Sequence, residues 1–143
     1  MHVFTYGTLM FPEVWQAVVG RPFATERGRA AGFQIFRVRD AVYPGILAAG
    51  PTDAVDGVVY WDVDPDSVDR LDRFEGDFFR RRPIAVACDD GRRLEAAAYV
   101  VPDEFRDMLT DEPWTGGDFV ARGDLDRFLA SFAGFQRLAQ DGC

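Results

Sequence analysis

Apolar positions recur along this chain with two different periods, and together they lay out its elements. At the amino end, His2, Val3, Phe4 and Thr5 make a short run able to pair as a strand, which breaks at once into Tyr6, Gly7, Thr8 and Leu9. Residues 12–19 space like a short helix stopped by Gly20, and residues 32–38 read as a strand. Tyr43, Pro44, Gly45, Ile46 and Leu47 follow as a kinked extended piece. A strand over 56–63 feeds a helix from Asp64 to about Glu75. Asp64 is placed to cap that helix, Pro65 takes its first position, and Gly76 stands where helices commonly end. Strands over 82–88 and 94–101 flank Asp89, Asp90, Gly91 and Arg92, a turn composition suited to a hairpin. Residues 102–123 hold Pro, Gly and Trp and read as an irregular covering loop. Beyond them Leu125, Phe128, Leu129, Phe132, Phe135 and Leu138 recur at helical spacing and predict a C-terminal helix.

Strands mixed with three modest helices, and a meander in the second half, imply an α+β fold with a closed or strongly curved sheet, since the order is not a regular βαβ alternation. A single domain over 1–143 is expected. At this length a chain buries about two-thirds of its unfolded surface, and 48% hydrophobic residues with 13 Phe are ample for a core. No apolar stretch reaches membrane-spanning length, and the amino end lacks the basic-then-apolar pattern of a secretory signal. A cytoplasmic protein with no membrane partner is the expectation. Cys88 and Cys143 are too few and too scattered for a disulfide framework and are read as free thiols.

Charge and composition then remove several chemistries. A net charge of −8 would repel a phosphate backbone, so nucleic acid is not an expected partner. All 16 basic residues are Arg, which excludes a lysine Schiff base and a lysine-dependent phosphate loop. His2 is the one histidine, and the only serines, Ser67 and Ser131, fall in predicted helices with hydroxyls expected to face solvent; a histidine-activated nucleophile is therefore not expected. Zinc lacks its usual ligands. Asp62, Asp64 and Asp66 alternate like the start of a calcium loop, but Pro65 intervenes, Ser67 replaces the required glycine and Arg73 stands where a bidentate Glu belongs. Helix capping accounts for these residues better, and no metal or cofactor is expected.

Two features remain. The strand-to-loop break at Tyr6, Gly7, Thr8 and Leu9 leaves backbone amides without ladder partners, either a plain turn or a cradle for a carboxylate or oxyanion. On the capped helix Val68, Leu71 and Glu75 lie at i, i+3 and i+7, so Glu75 projects from the burying face. It is either paired with Arg80, Arg81 or Arg82, or desolvated and thereby raised in proton affinity toward what a general base needs. Asp72 beside it reads as surface polar.

Four segments carry a family resemblance: Tyr6, Gly7, Thr8, Leu9; Tyr43, Pro44, Gly45; the strand with Gly57, Val58 and Tyr60; and Leu71, Asp72, Arg73, Phe74, Glu75, Gly76 followed by Arg81. Their identity and order resemble the γ-glutamylcyclotransferase family, including its plant avirulence-induced and bacterial relatives, while the last forty or so residues match poorly. The resemblance implies a small mixed β-barrel with short flanking helices and a C-terminal helix. It implies intramolecular attack of the α-amine of a γ-glutamyl compound on its own γ-carbonyl, releasing 5-oxoproline and an amine or amino acid, with no cofactor. Glu75 takes the catalytic acid/base position, and Tyr6, Gly7, Thr8 and Leu9 the substrate cradle. Tyr43 and Trp114 are candidates to line the pocket, and Arg81 is read as a structural partner. Where relatives often carry Tyr two residues before that Arg, this chain has Phe79, so a hydroxyl is lost. A carboxylate-binding module without chemistry, and a remover of a γ-glutamyl protecting group, are the competing readings. The leaving amine and the oligomeric state are left open by the sequence.

Overall fold

The computed structural model describes residues 1–131. Five strands close a barrel in the order β1 (Val3–Thr5), β5 (Ala54–Tyr60), β2 (Thr25–Ala31), β6 (Arg80–Cys88) and β7 (Arg93–Val100). Neighbours are antiparallel except at the closure, where β1 meets β7 in parallel with Val3 opposite Ala97, so the barrel is mixed as the resemblance implies. Strands β3 (Phe33–Arg37) and β4 (Pro44–Ala48) form a separate two-stranded ribbon. Helix α1 (Pro12–Val18) and helix α2 (Pro65–Glu75) pack outside the barrel, and α3 (Gly116–Ala121) lies later in the chain.

Period-two alternation along the strands splits the apolar residues into two cores. Phe4, Ala30, Val55, Val59, Ile84, Val86, Ala96 and Ala98 belong to the core inside the barrel. Val3, Tyr60, Tyr99 and Val101 meet α1 and α2 in the second. The barrel interior is narrow, and Gly57 is set by that. A Cβ there would fall 2.1 Å from the Thr5 carbonyl oxygen and 2.6 Å from the Phe4 ring, so only glycine fits.

The α2 helix starts and stops where its sequence says. Asp64 caps it, accepting the Ser67 N–H at 3.2 Å, and Gly76 follows Glu75 with φ at +70°. The Ser67 hydroxyl corrects an expectation: it does not face solvent but is buried and donates to Asp64 Oδ1 at 2.6 Å. That hydrogen bond is also the main reason the Asp64 carboxyl titrates below its ordinary range.

Strand β2 was not expected. Its sequence, Thr-Glu-Arg-Gly-Arg-Ala-Ala, shows no hydrophobic alternation, because the inward positions are Gly28 and Ala30, both buried. A Cβ on Gly28 would lie 2.7 Å from Val86 Cγ1, so the barrel demands small residues exactly where a strand normally advertises itself with large ones. Strand β6 begins at Arg80 and not at residue 82, and β5 covers residues 54–60 instead of 56–63.

The irregular loop expected over 102–123 contains a 3-10 helix at Asp103–Met108 and then α3. It does act as a cover. Thr110 N–H donates to the Arg37 carbonyl at 2.9 Å, Arg37 N–H to Glu112 at 3.0 Å and Arg39 N–H to Met108 at 2.7 Å, pinning the segment along the end of β3. Helical backbone resumes at 124–131. Leu125, Phe128 and Leu129 pack on the outer core, whereas Phe132, Phe135, Leu138 and Cys143 lie outside the described residues. Cys88 is a buried free thiol. No helix among the described residues is long and apolar enough to cross a membrane.

A Gly57→Ala substitution is expected to destabilise the fold by about 3 kcal/mol or more through overpacking against β1. At this chain length that corresponds to a fall in Tm of roughly 10 °C, readable by thermal unfolding.

Candidate active site

The first loop is held by its neighbours and not by its own length. After β1 the chain turns through a 3-10 helix at Thr8–Met10, closed by Met10 N–H to the Gly7 carbonyl (3.0 Å) and Phe11 N–H to the Thr8 carbonyl (3.1 Å). Two buried phenols fasten it to the barrel: Tyr60 donates to the Leu9 carbonyl at 2.9 Å, and Tyr6 donates to the Tyr99 carbonyl at 2.6 Å. Trp15 of α1 stacks on Tyr60 with centroids 3.6 Å apart, fixing the first of these anchors. Gly7 lets Pro44 press against the loop, since a Cβ at Gly7 would sit 2.9 Å from Pro44 Cγ. The N–H groups of Gly7, Thr8 and Leu9 have no acceptor among the described residues. Unpaired amides in a fixed turn are a ready anion cradle.

Glu75 occupies the last turn of α2, on the face that buries Val68 and Leu71. The residue as a whole is half-buried, yet removal of its carboxyl from water pushes the pKa up from 4.5 to about 8. No hydrogen bond or ion pair reaches the Glu75 carboxyl among the described residues. The three arginines that follow are otherwise engaged: Arg80 pairs with Glu104, Arg81 pairs with Asp72 at 2.8 Å, and the Arg82 guanidinium lies over the Phe33 ring at 5.9 Å. Asp72 also accepts the Tyr99 hydroxyl at 2.7 Å, so it anchors other side chains and is not a second acid facing the cavity. Burial above all, with the Glu75 charge next at Tyr6 and the hydrogen bond to Asp72 next at Tyr99, pushes both phenols above their ordinary range and keeps them protonated.

One cavity of about 150 Å³ brings these parts together. Tyr6, Gly7, Thr8, Leu9, Tyr43 and Glu75, the candidate site residues of the sequence, all line it. Pro44, Phe74, Phe78, Phe79, Tyr99 and Phe128 line it as well. Tyr99 was missed because a single aromatic in an Ala-rich strand is indistinguishable from core, and Phe74 and Phe78 because they flank a helix end. Trp114 does not join the cavity; its indole N–H donates to the Val42 carbonyl at 2.8 Å and its ring borders a different recess. Arg81 stays outside as well, consistent with a structural role. Glu26, Cys88 and Asp90 bring possible metal ligands within 4.8 Å of one another. The Arg92 guanidinium already bridges the two carboxylates, at 2.8 Å to Glu26 and 2.5 Å to Asp90, so a cation there would have to displace it.

A profile of the family described as gamma-glutamyl cyclotransferase, AIG2-like, matches residues 3–121. AIG2-like protein D of Arabidopsis thaliana is 32% identical over 103 residues, a stretch covering 70% of this chain and 67% of that protein. A solution structure of an Arabidopsis thaliana protein superposes with a TM-score of 0.69 at 21% identity, covering 97% of this chain and 83% of that one. The crystal structure of an AIG2-like protein from Mus musculus superposes with a TM-score of 0.60 at 20% identity, covering 80% and 87% respectively. At these identities the structural likenesses establish the shared fold.

The raised pKa of Glu75 carries a stability cost with a defined sign. Below about pH 4.5 the group is neutral folded and unfolded; as pH rises toward 8 the unfolded chain ionises while the folded one does not, so stability falls across that window. The loss is on the order of 2–3 kcal/mol, discounted from the full shift because the residue is partly solvated. Glu75→Gln is therefore expected to unfold at a higher temperature than the native protein at pH 8–9 and at nearly the same temperature at about pH 4.5, in thermal scans across pH.

Proposed function

The chain belongs to the gamma-glutamyl cyclotransferase, AIG2-like family, and from that membership and the cavity we propose that it cyclises a γ-glutamyl compound, releasing 5-oxoproline and an amine or amino acid. The observation that carries the reading is Glu75, a carboxyl with no counter-charge among the described residues, in the cavity that the first loop borders. Its Arg81 neighbour goes to Asp72 instead, which disfavours a simple carboxylate-binding module built on a Glu–Arg pair.

In this reaction substrate and nucleophile are one molecule. Folding the γ-glutamyl chain so that its α-nitrogen lies against its γ-carbonyl converts a bimolecular encounter into a positioned one, where effective molarities become very large. The Glu75 carboxylate takes a proton from the α-ammonium; the α-nitrogen bonds to the γ-carbon; the bond from that carbon to the leaving nitrogen breaks as Glu75 gives the proton to that nitrogen; and the second proton of the α-nitrogen passes to the re-formed carboxylate and from there to water, leaving the lactam N–H. Atoms and charge balance without a cofactor. The amides of Gly7, Thr8 and Leu9 supply donors for an anionic part of the substrate, and the protonated phenols of Tyr6 and Tyr99 shape the cavity without adding charge.

Purified protein supplied with γ-glutamyl amines, γ-glutamyl amino acids and γ-glutamyl isopeptides is expected to form 5-oxoproline, detected by chromatography. Glu75→Gln should lower kcat by about 10²–10⁴-fold while circular dichroism stays native. For the native protein kcat/KM should rise with pH through about 8, as the free enzyme's Glu75 ionises. A complete absence of 5-oxoproline from all three substrate classes would defeat the proposal.

A further inference from the structure

Pro83 stands inside strand β6, where a proline is compatible with a sheet only if its missing N–H would face no partner strand. The register shows why it is tolerated. Ala97, opposite Pro83, turns its N–H away from β6 and onto the His2 carbonyl at 2.8 Å, so Pro83 and Ala97 form a pair without ladder hydrogen bonds. By the alternation of an antiparallel ladder, Arg82, Ile84 and Val86 bond to β7, whereas the backbone groups of Arg81, Pro83, Ala85 and Ala87 point the other way, toward β2. Strand β2 meets only the end of that row. Asp89 N–H reaches the Arg27 carbonyl at 3.1 Å, Gly28 lies opposite Cys88 and Arg29 opposite Ala87, but Ala30 and Ala31 pair with β5 alone. Gly32, with φ at +87°, then turns the chain away into β3, its N–H held by the Asp53 carbonyl at 2.7 Å. The N–H groups of Arg81 and Ala85 and the carbonyls of Arg81, Pro83 and Ala85 therefore have no hydrogen-bond partner among the described residues. Arg81, Arg82, Pro83 and Ala85 are all exposed. The barrel carries an open edge beside its β2–β6 seam.

We propose that this edge of β6 is a latent dimerisation surface for a second copy of the chain, and that Pro83 holds it closed. An unpaired edge is a template for another strand, and the same edge of a second copy is complementary to it by symmetry. In an antiparallel pairing of the two β6 strands centred on Pro83, Arg81 of each copy would exchange both ladder bonds with Ala85 of the other. The central pair fails. Each Pro83 carbonyl would meet a pyrrolidine ring with no N–H to give, so two acceptors would lose water and gain nothing, a cost that the outer bonds have to offset. Charge adds to the barrier. Arg81 and Arg82 flank Pro83, and a second copy would bring the same guanidiniums to the same short edge. Arg81 is already neutralised by Asp72, but Arg82 has only the Phe33 ring under its guanidinium among the described residues. One residue thus decides whether a self-complementary edge is usable.

Hydrogen exchange and self-association test the proposal together. In the native protein, amide exchange read residue by residue by NMR should be fast at Arg81 and Ala85 and slow at Ile84 and Val86. Pro83→Val and the milder Pro83→Ala both restore the central donor. Each is expected to strengthen self-association at least about tenfold over the native protein in sedimentation equilibrium, with Arg81 and Ala85 becoming protected in the associated form. Adding Ala85→Pro to Pro83→Val takes a donor away again at a position whose N–H faces outward, and should return association to the native level with circular dichroism unchanged. Slow exchange at Arg81 and Ala85 in the native protein overturns the proposal, because the edge is then already covered. So does association of folded Pro83→Val and Pro83→Ala no stronger than that of the native protein, and so does enhanced association that survives Ala85→Pro.

Discussion

Arg81 pairs with Asp72 and not with Glu75, one helical turn further along α2, and the chemistry of the cavity depends on that allocation. A guanidinium against Glu75 would hold its carboxyl ionised and acidic, as charge pairing does generally. Because Asp72 takes Arg81 and also accepts the Tyr99 hydroxyl, that guanidinium is neutralised by a residue that does not line the cavity. Glu75 is then subject to desolvation alone, and its pKa rises to about 8. The register of the β6–β7 hairpin makes this possible. Arg81 lies opposite Tyr99, on the outer face toward α2, while Arg80 and Arg82 lie opposite Val100 and Ala98, whose side chains belong to the barrel interior.

The barrel supplies the other half of the site by making its first loop rigid. Three residues of β1 are a short strand, and by themselves would fix little. The seating of β1 between β5 and β7, the glycine at position 57 that lets β1 lie against β5, the Tyr60 hydroxyl on the Leu9 carbonyl and the Tyr6 hydroxyl on the Tyr99 carbonyl together leave the following turn no freedom to satisfy its own amides. The same loop is pressed from the far side by Pro44 of β4. Segments distant in sequence thus converge because each removes an alternative from the loop, not because they contact one another along the chain.

What the sequence made legible follows from the same physics. The α2 helix, its Asp64 cap and its inward Glu75 were visible because capping and helical period are local rules. The first loop was visible because a glycine breaking a short apolar run has few uses. Strand β2 was hidden, since Gly28 and Ala30 face an interior already filled by Phe4 and Val86, and small inward residues leave no alternation to detect. The partner of Arg81 was hidden for another reason. Three consecutive arginines near three carboxylates admit many pairings, and only the hairpin register decides among them. Tyr99 could not be distinguished from an ordinary core aromatic until its hydroxyl was seen on Asp72.

The elevated proton affinity of Glu75 makes sense when the substrate's own charge is considered. In the empty cavity a carboxyl with a pKa of about 8 is mostly protonated at neutral pH, and the fold already bears there most of the stability cost of keeping it so. A γ-glutamyl compound brings an ammonium group, and a cation placed against a desolvated carboxyl lowers that carboxyl's proton affinity while the desolvated ammonium loses some of its own. In the proposed reaction the base therefore becomes available chiefly when the amine it would deprotonate is present. An arginine in the same place would also have ionised Glu75, but permanently and with the cation in the position that the proposed reaction assigns to the amine. Keeping Arg81 on Asp72 leaves that position open for the ammonium of the proposed substrate, and the hairpin register thereby maintains a Glu75 carboxyl with no counter-charge among the described residues.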